Sequence, residues 1–324
     1  MNTQTAIVGI IFVTFLWGSW FQTVKHIENF PVHAFISIMY GISVVIVWLS
    51  IALTGRTMIP QGVFYEMKSN VSLTIAVFSC GVVFGIAMQL HLTVVKRIGL
   101  ILSTSVSATC AILGGTIVSA IFAGVPEGMP VSILFIASFL LILATISCQY
   151  AGLCRDREKQ KNEKTESRVQ DVLLLVFINL ILMSSYPLAN SIGLRSDLNP
   201  KGLSSLTNMG ILVIGACLGS SFCTFLSFCR KKPERGNVSM KKVLFLAAVA
   251  AFCHFGGNVL HAVFAPVVSV AIATVLGNSY HCWSYIWGLL YGEFKGAGRR
   301  SYLILFTGIS LFVAGVLLLS FNTV

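Results

Sequence analysis

A chain of 324 residues in which 56% are hydrophobic, only 10% are charged and the mean hydropathy is +0.87 carries more apolar surface than a soluble fold can hide. The net charge of +11 would suit a nucleic-acid partner only if the basic residues were gathered into one patch, and they are instead spread over the breaks between apolar segments. Nine cysteines lie in or beside apolar segments without C-x-x-C spacing, which reads as free, small apolar side chains and leaves no disulfide framework, metal site or cofactor to expect.

Taken in chain order, segments 5–24, 34–54, 72–92, 99–123 and 131–151 have bilayer-crossing length, and 172–193, 206–229, 242–263, 267–291 and 302–321 follow after a charged gap. Each supplies the roughly 20 apolar residues needed to cross a hydrocarbon core at about 1.5 Å per residue. No Asp, Glu, Lys or Arg lies deep inside any of them. The prediction is an all-α polytopic membrane protein of ten transmembrane helices, with the lipid bilayer as its first partner. The first residues, Met1 to Thr5, lack the basic start of a secretory signal, so the first span is expected to be retained.

Of the 22 basic residues, 18 fall in odd-numbered connections, among them Lys25, Lys96, Arg97, Arg155 and Arg299. The positive-inside rule then places those connections in the cytoplasm and both termini outside, in a compact chain suited to a bacterial inner membrane. The connection 155–171 mixes both charge signs and divides the spans into a first repeat, 1–154, and a second, 172–324. With five spans in each half, the second must enter the membrane upside down, which predicts two inverted five-helix repeats. Faint internal likeness agrees: Phe84-Gly85 and Phe255-Gly256 are 171 residues apart, and Phe122 and Gly124 match Phe294 and Gly296 at an offset of 172.

Polar side chains at membrane depth are costly and tend to face a bundle interior or an aqueous cavity. Helical spacing puts His254, Asn258 and His261 on one face of the eighth span, and Thr274, Asn278, His281 and Tyr285 on one face of the ninth. The sixth offers Asn179, Met183, Tyr186 and Asn190 around Pro187, the fourth Ser103, Ser107 and Cys110, the third Gln89 and His91, and the first Trp17 and Trp20. The expected solute-binding set is Trp17, Trp20, Gln89, Tyr186, Asn190, Asn258, His261, Asn278 and His281. A hydrogen bond between helices would satisfy each of these equally well. Tyr285 and Trp287 suit an interfacial aromatic belt, and Gly85, Gly114, Gly115, Gly256 and Gly257 suit close helix approach.

All eleven acidic residues lie in connections or at span ends. Proton coupling, where it occurs, therefore falls to His254, His261 or His281, with Glu293 behind them as an interfacial residue paired to Lys295 or Arg299. The lack of fixed charge at depth favours an uncharged small-molecule substrate.

The run Gly292-Glu293-Phe294-Lys295-Gly296-Ala297-Gly298-Arg299-Arg300 follows an aromatic-rich ninth span and precedes an apolar last one. It resembles the end of ten-helix members of the drug/metabolite transporter superfamily, in the branch of rhamnose-proton symporters, glucose/ribose porters and ureide permeases. Trp17-Gly18-Ser19-Trp20 with Val24-Lys25-His26, Gly85-Ile86-Ala87-Met88, Arg97-Ile98-Gly99-Leu100 and Gly115-Thr116 extend the likeness over both halves. The resemblance implies a permease moving a sugar or ureide by alternating access, or an exporter of drugs or amphipathic metabolites. An intramembrane enzyme built on His254, His261 and Cys253 or Cys282 is the rival from another class, but no H-E-x-x-H or G-x-S-x-G run is present, so the expectation is a carrier and not an enzyme.

Overall fold

The computed structural model describes residues 2–27, 30–98, 100–125, 129–158, 169–230 and 238–321. Most of the charged connection 155–171, the basic run 231–237, Gly99 and the side chains of Lys96, Arg97, Ile98 and Ser103 lie outside the described part.

With no water to satisfy backbone groups in lipid, each segment must close its hydrogen bonds on itself, and the described residues are accordingly helical almost throughout. Helix α1 (Thr3–Trp20) starts at Asn2, whose Oδ1 accepts from the Thr5 amide at 2.8 Å, and runs into a 3-10 turn, Phe21–His26. There follow α2 (Val32–Met58), the short α3 (Val63–Ser69), α4 (Val71–Ile98), α5 (Leu100–Phe122) and α6 (Val131–Glu158). The second half holds α7 (Val169–Phe177), a π turn Ile178–Leu182, α8 (Ser185–Gly193), α9 (Ser205–Arg230), α10 (Met240–Ala251), a second π turn Phe252–Gly256 and α11 (Gly257–Val268). Then come α12 (Val270–Gly277), a 3-10 turn Asn278–Tyr280, α13 (His281–Leu290) and α14 (Arg299–Phe321).

Among the described residues, eight helical stretches are long and apolar enough to cross a membrane. Their outer faces carry exposed Val45, Leu53, Phe245, Leu303 and Phe321, an apolar surface suited to lipid. The chain is thus an all-α polytopic membrane protein. The fourth predicted span is the 23-residue α5, and the ninth is the broken chain α12, 3-10 turn and α13, whose polar residues keep it below the apolarity of the others.

Packing runs in matched pairs: α1 lies on the α10–α11 segment and α8 on α4; α4 lies on α9 and α10 on α2; α6 pairs with α14 and α5 with α12. The tightest seam joins α4 to α9. Gly81 and Gly85 on one helix face Gly215 and Gly219 on the other, and a Cβ at Gly81 would fall 3.2 Å from the Gly215 Cα. Two G-x-x-x-G runs in register let the backbones meet, which in lipid supplies the packing that a hydrophobic driving force cannot. Between α11 and α12 stands one residue, Ser269, at φ 109, and the two helices fold back on each other so that His261 Nε2 donates to the Ala273 carbonyl at 3.1 Å.

Candidate functional site

A cavity of about 510 Å3 lies between α1, α4, α5, the α7–α8 segment, α11 and the α12–α13 segment. Its size falls within the roughly 300–1,000 Å3 of small-molecule sites. Trp17 forms the central wall: its Nε1 donates to the His254 carbonyl at 3.2 Å, and its ring meets Tyr186 and Tyr280 edge-on at 5.8 and 6.1 Å. The indole fits because Gly257 and Gly277 flank it; a Cβ there would come within 2.7 Å of Nε1 and 2.8 Å of Cζ3 respectively. Trp20, stacked on Phe21 at 3.8 Å, and Phe84, stacked on His254, complete an aromatic enclosure.

Polar atoms are set into this wall at a few points. His254, Asn258 and His281 line the cavity, and both ring nitrogens of His254, Nδ2 of Asn258 and Nε2 of His281 are buried and make no hydrogen bond within the described residues. Leaving such groups dry and unpaired costs about 1–3 kcal/mol each, so they call for solvent or a ligand. His261 differs: Nε2 must carry the proton it gives to Ala273, and Nδ1 is left to accept from the Tyr186 hydroxyl at 3.5 Å. Asn278 is also held, donating to the Ala111 carbonyl at 3.0 Å. A second polar group gathers His91, Ser107 and Asn179 on the side of His281, with Ser107 Oγ 3.4 Å from His91 Nδ1.

Of the expected set, Trp17, Trp20, Tyr186, Asn258, His261, Asn278 and His281 line the cavity, as does His254. Gln89 and Asn190 are not among the residues that line it. Gln89 follows Gly81 and Gly85 at four-residue steps, so it shares the face turned to α9, while Phe84, Met88 and His91 face the cavity. Its Nε2 donates to Ser220 Oγ at 2.7 Å and its Oε1 meets His33 Nδ1 at 2.6 Å, tying α2, α4 and α9 together. Asn190 stands a turn beyond the chamber floor, where its Oδ1 accepts from Asn208 Nδ2 at 3.1 Å. Tyr285, expected in the aromatic belt, lines the cavity instead, and Trp287 Nε1 donates to Ser19 Oγ at 2.9 Å. Phe21, Phe84, Tyr280 and Thr274 also line the chamber. For Phe84 and His91 the signal was the three- and four-residue spacing through Met88.

The cavity reaches one face of the bundle, where Lys25, Arg155 and Glu293 form its rim. Glu293 pairs with Lys25 Nζ at 2.8 Å and Arg155 Nη1 at 3.1 Å, not with Lys295 or Arg299. The tight turn that presents it needs positive φ at Gly292 and Gly296. Burial alone would raise the Glu293 carboxyl, but its hydrogen bonds and charge contacts with Lys25 and Arg155 outweigh that and hold it below the ordinary carboxylate value. The rest of the Gly292–Arg300 run is fixed through Glu158, which accepts from the Gly298 amide at 2.7 Å and Ser301 Oγ at 2.8 Å.

No model of a known protein family and no curated protein matches the chain. One solved structure, a crystal structure of a protein, superposes with a TM-score of 0.65 over 98% of this chain and 96% of its own at 13% identity, a likeness of fold alone.

Proposed function

We propose that the protein is a permease for a small uncharged polar solute, working by alternating access. The observation that carries this reading is the chamber itself: aromatic walls, buried imidazole and carboxamide atoms without partners, and, among the described residues, no fixed charge until the rim. Indole and phenol faces would stack on a sugar or ureide while His254, Asn258 and His281 bond its edge. On this reading all ten predicted segments cross the membrane, the broken ninth being polar because it lines the path. The packing pairs support two inverted repeats, since exchanging the halves maps α1 on α10–α11 to α8 on α4, and α4 on α9 to α10 on α2. The basic face is the cytoplasmic one and both termini lie outside, as suits a bacterial inner membrane.

Any proton carried would use His254 or His281, which line the chamber and keep both ring nitrogens and Nε2, respectively, without a hydrogen-bond partner, ahead of His261, whose two nitrogens are engaged. Glu293 serves the rim. A chamber that reaches the basic face also suits loading of an exporter, so direction is read from transport. The test is a thermal-shift panel of neutral sugars, ureides, nucleobases and amino acids, followed by proteoliposome uptake of the stabilising solute. Combined replacement Asn258→Leu and His281→Phe should abolish both the shift and the uptake; uptake that survives it overturns the assignment.

A further inference from the structure

On the face opposite the Lys25–Glu293 rim the chamber is shut. From Tyr186 inward the next groups are Asn190 and Asn208, whose side chains are fully buried and paired by one hydrogen bond. Beside them Ser191 Oγ donates to Ser119 Oγ at 3.3 Å, and Ser119 Oγ to the chamber residue Thr274 at 3.0 Å. Asn190 Nδ2 and Asn208 Oδ1 make no hydrogen bond, so this layer keeps polar atoms dry at a cost. Beyond it lies a separate cavity of about 370 Å3, lined by Gln61, Glu66, Asn70, Arg195 and Lys201.

Between layer and outer cavity stands a carboxylate clasp. Glu66 is only 4% exposed although it belongs to the short helix α3. Its Oε1 accepts from Arg195 Nη2 at 2.9 Å, and its Oε2 accepts from the Ser204 amide at 3.0 Å and the Ser204 hydroxyl at 2.8 Å. Arg195 also donates through Nε to the Gly202 carbonyl at 3.0 Å, and backbone bonds from the Arg195 amide to the Leu203 carbonyl and from the Leu203 amide to the Gly193 carbonyl fold 194–204 into a cap over the layer. One buried anion therefore joins α3, the cap and the start of α9.

We propose that the solute path continues from the chamber through the Asn190–Asn208 layer to the outer cavity, and that the Glu66–Arg195–Ser204 clasp is the gate that closes it. The inference rests on the permease reading for its purpose, but not for its test. The clasp supplies what holds the layer shut, and wetting of Asn190 and Asn208 supplies what favours opening; two such opposed terms make the bistable element that alternating access needs. Lys25 and Arg195 occupy matching places just past the first helix of each half, 170 residues apart, and each binds a carboxylate at its own face of the bundle.

The experiment places a reporter in the layer. In a chain whose nine cysteines are replaced, Ser191→Cys is exposed to a charged maleimide in lipid nanodiscs, with Ala144→Cys in the α6–α14 seam as the packing control. With the clasp intact, both thiols should react slowly. Glu66→Ala should speed labelling at position 191 about tenfold and leave 144 unchanged, and Arg195→Gln, a change at a half-exposed side chain that spares the fold, should do so by a smaller factor. An unchanged rate at 191 in both variants overturns the gate; should 144 also open in Glu66→Ala, Arg195→Gln alone decides. Labelling needs no solute, so a chamber that proves not to transport leaves this result standing.

Discussion

A single added methyl at Gly85 tests whether the α4–α9 seam sets the spacing of the bundle. The Cβ of Gly85→Ala would overlap the Ala216 carbonyl and sit 2.9 Å from the Ser220 amide nitrogen, and both are backbone atoms that no rotamer change can move. The helices must separate by about 1 Å, within the range of rearrangement that costs about 1–3 kcal/mol in overpacked cores. That separation also stretches the 2.7 Å bond from Gln89 Nε2 to Ser220 Oγ beyond hydrogen-bonding reach, a further loss of about 1 kcal/mol. Against this stands the gain of about 1 kcal/mol from Ala over Gly in a helix. Gly41 in α2 is the reference, since nothing lies within 4 Å of its would-be Cβ, and there only the gain applies. The two variants should therefore differ by about 3 kcal/mol, roughly a hundredfold in the folding equilibrium. Reversible denaturation in mixed micelles measures the difference. Equal stability of Gly85→Ala and Gly41→Ala would refute the close backbone contact.

Three more outcomes are expected. Gln89→Leu should cost about 2 kcal/mol by stranding His33 Nδ1 and removing the bond to Ser220, whose hydroxyl keeps Ser37, yet leave the solute concentration for half-maximal thermal shift within about twofold of the unsubstituted protein; a large change would place Gln89 in the binding set. Gly277→Ala pushes the Trp17 ring into the chamber and should weaken solute binding about tenfold, and unchanged binding would deny Trp17 its place in the wall. Burial raises the Glu66 and Glu293 carboxyls, but hydrogen bonds from Thr207 and Ser204 with the Arg195 charge, and the contacts to Lys25 and Arg155, more than offset it and hold both below the ordinary value of 4.5. Groups so depressed contribute stability above pH 4.5 that is lost as pH falls through their lowered values, so the melting temperature in detergent should drop on acidification below that point, less steeply in the double variant Glu66→Gln, Glu293→Gln; a rise on acidification would overturn both ion-pair assignments.

Most of the helices were legible because lipid imposes one requirement on every spanning segment, enough apolar length, and the periodicity of His254, Asn258 and His261 then gave the inward face. What spacing left open was local. Gln89 and His91 are two residues apart, yet one clamps three helices and the other lines the chamber; the deciding signal was the four-residue step from Gly81 and Gly85, which reads as a seam once glycine is seen to stand against backbone. Asn190 lies on the expected helix but beyond the chamber floor, a matter of depth that spacing does not encode. Glu66 escaped notice because its burial depends on Arg195 and Ser204, more than a hundred residues away in sequence, and Glu293 took partners from Lys25 and Arg155 for the same reason.

The joint at Ser269 bears on which parts of the bundle are free to travel. A hinge needs several residues able to share a rotation, whereas here one residue, already at φ 109, stands between two helices that are also stitched by the His261–Ala273 bond. His261 and the ring of Trp17 wedged between it and Gly277 thus form a fixed anvil, and on the permease reading proposed above, any rocking that exposes the solute to the other side falls to the elements that close upon it.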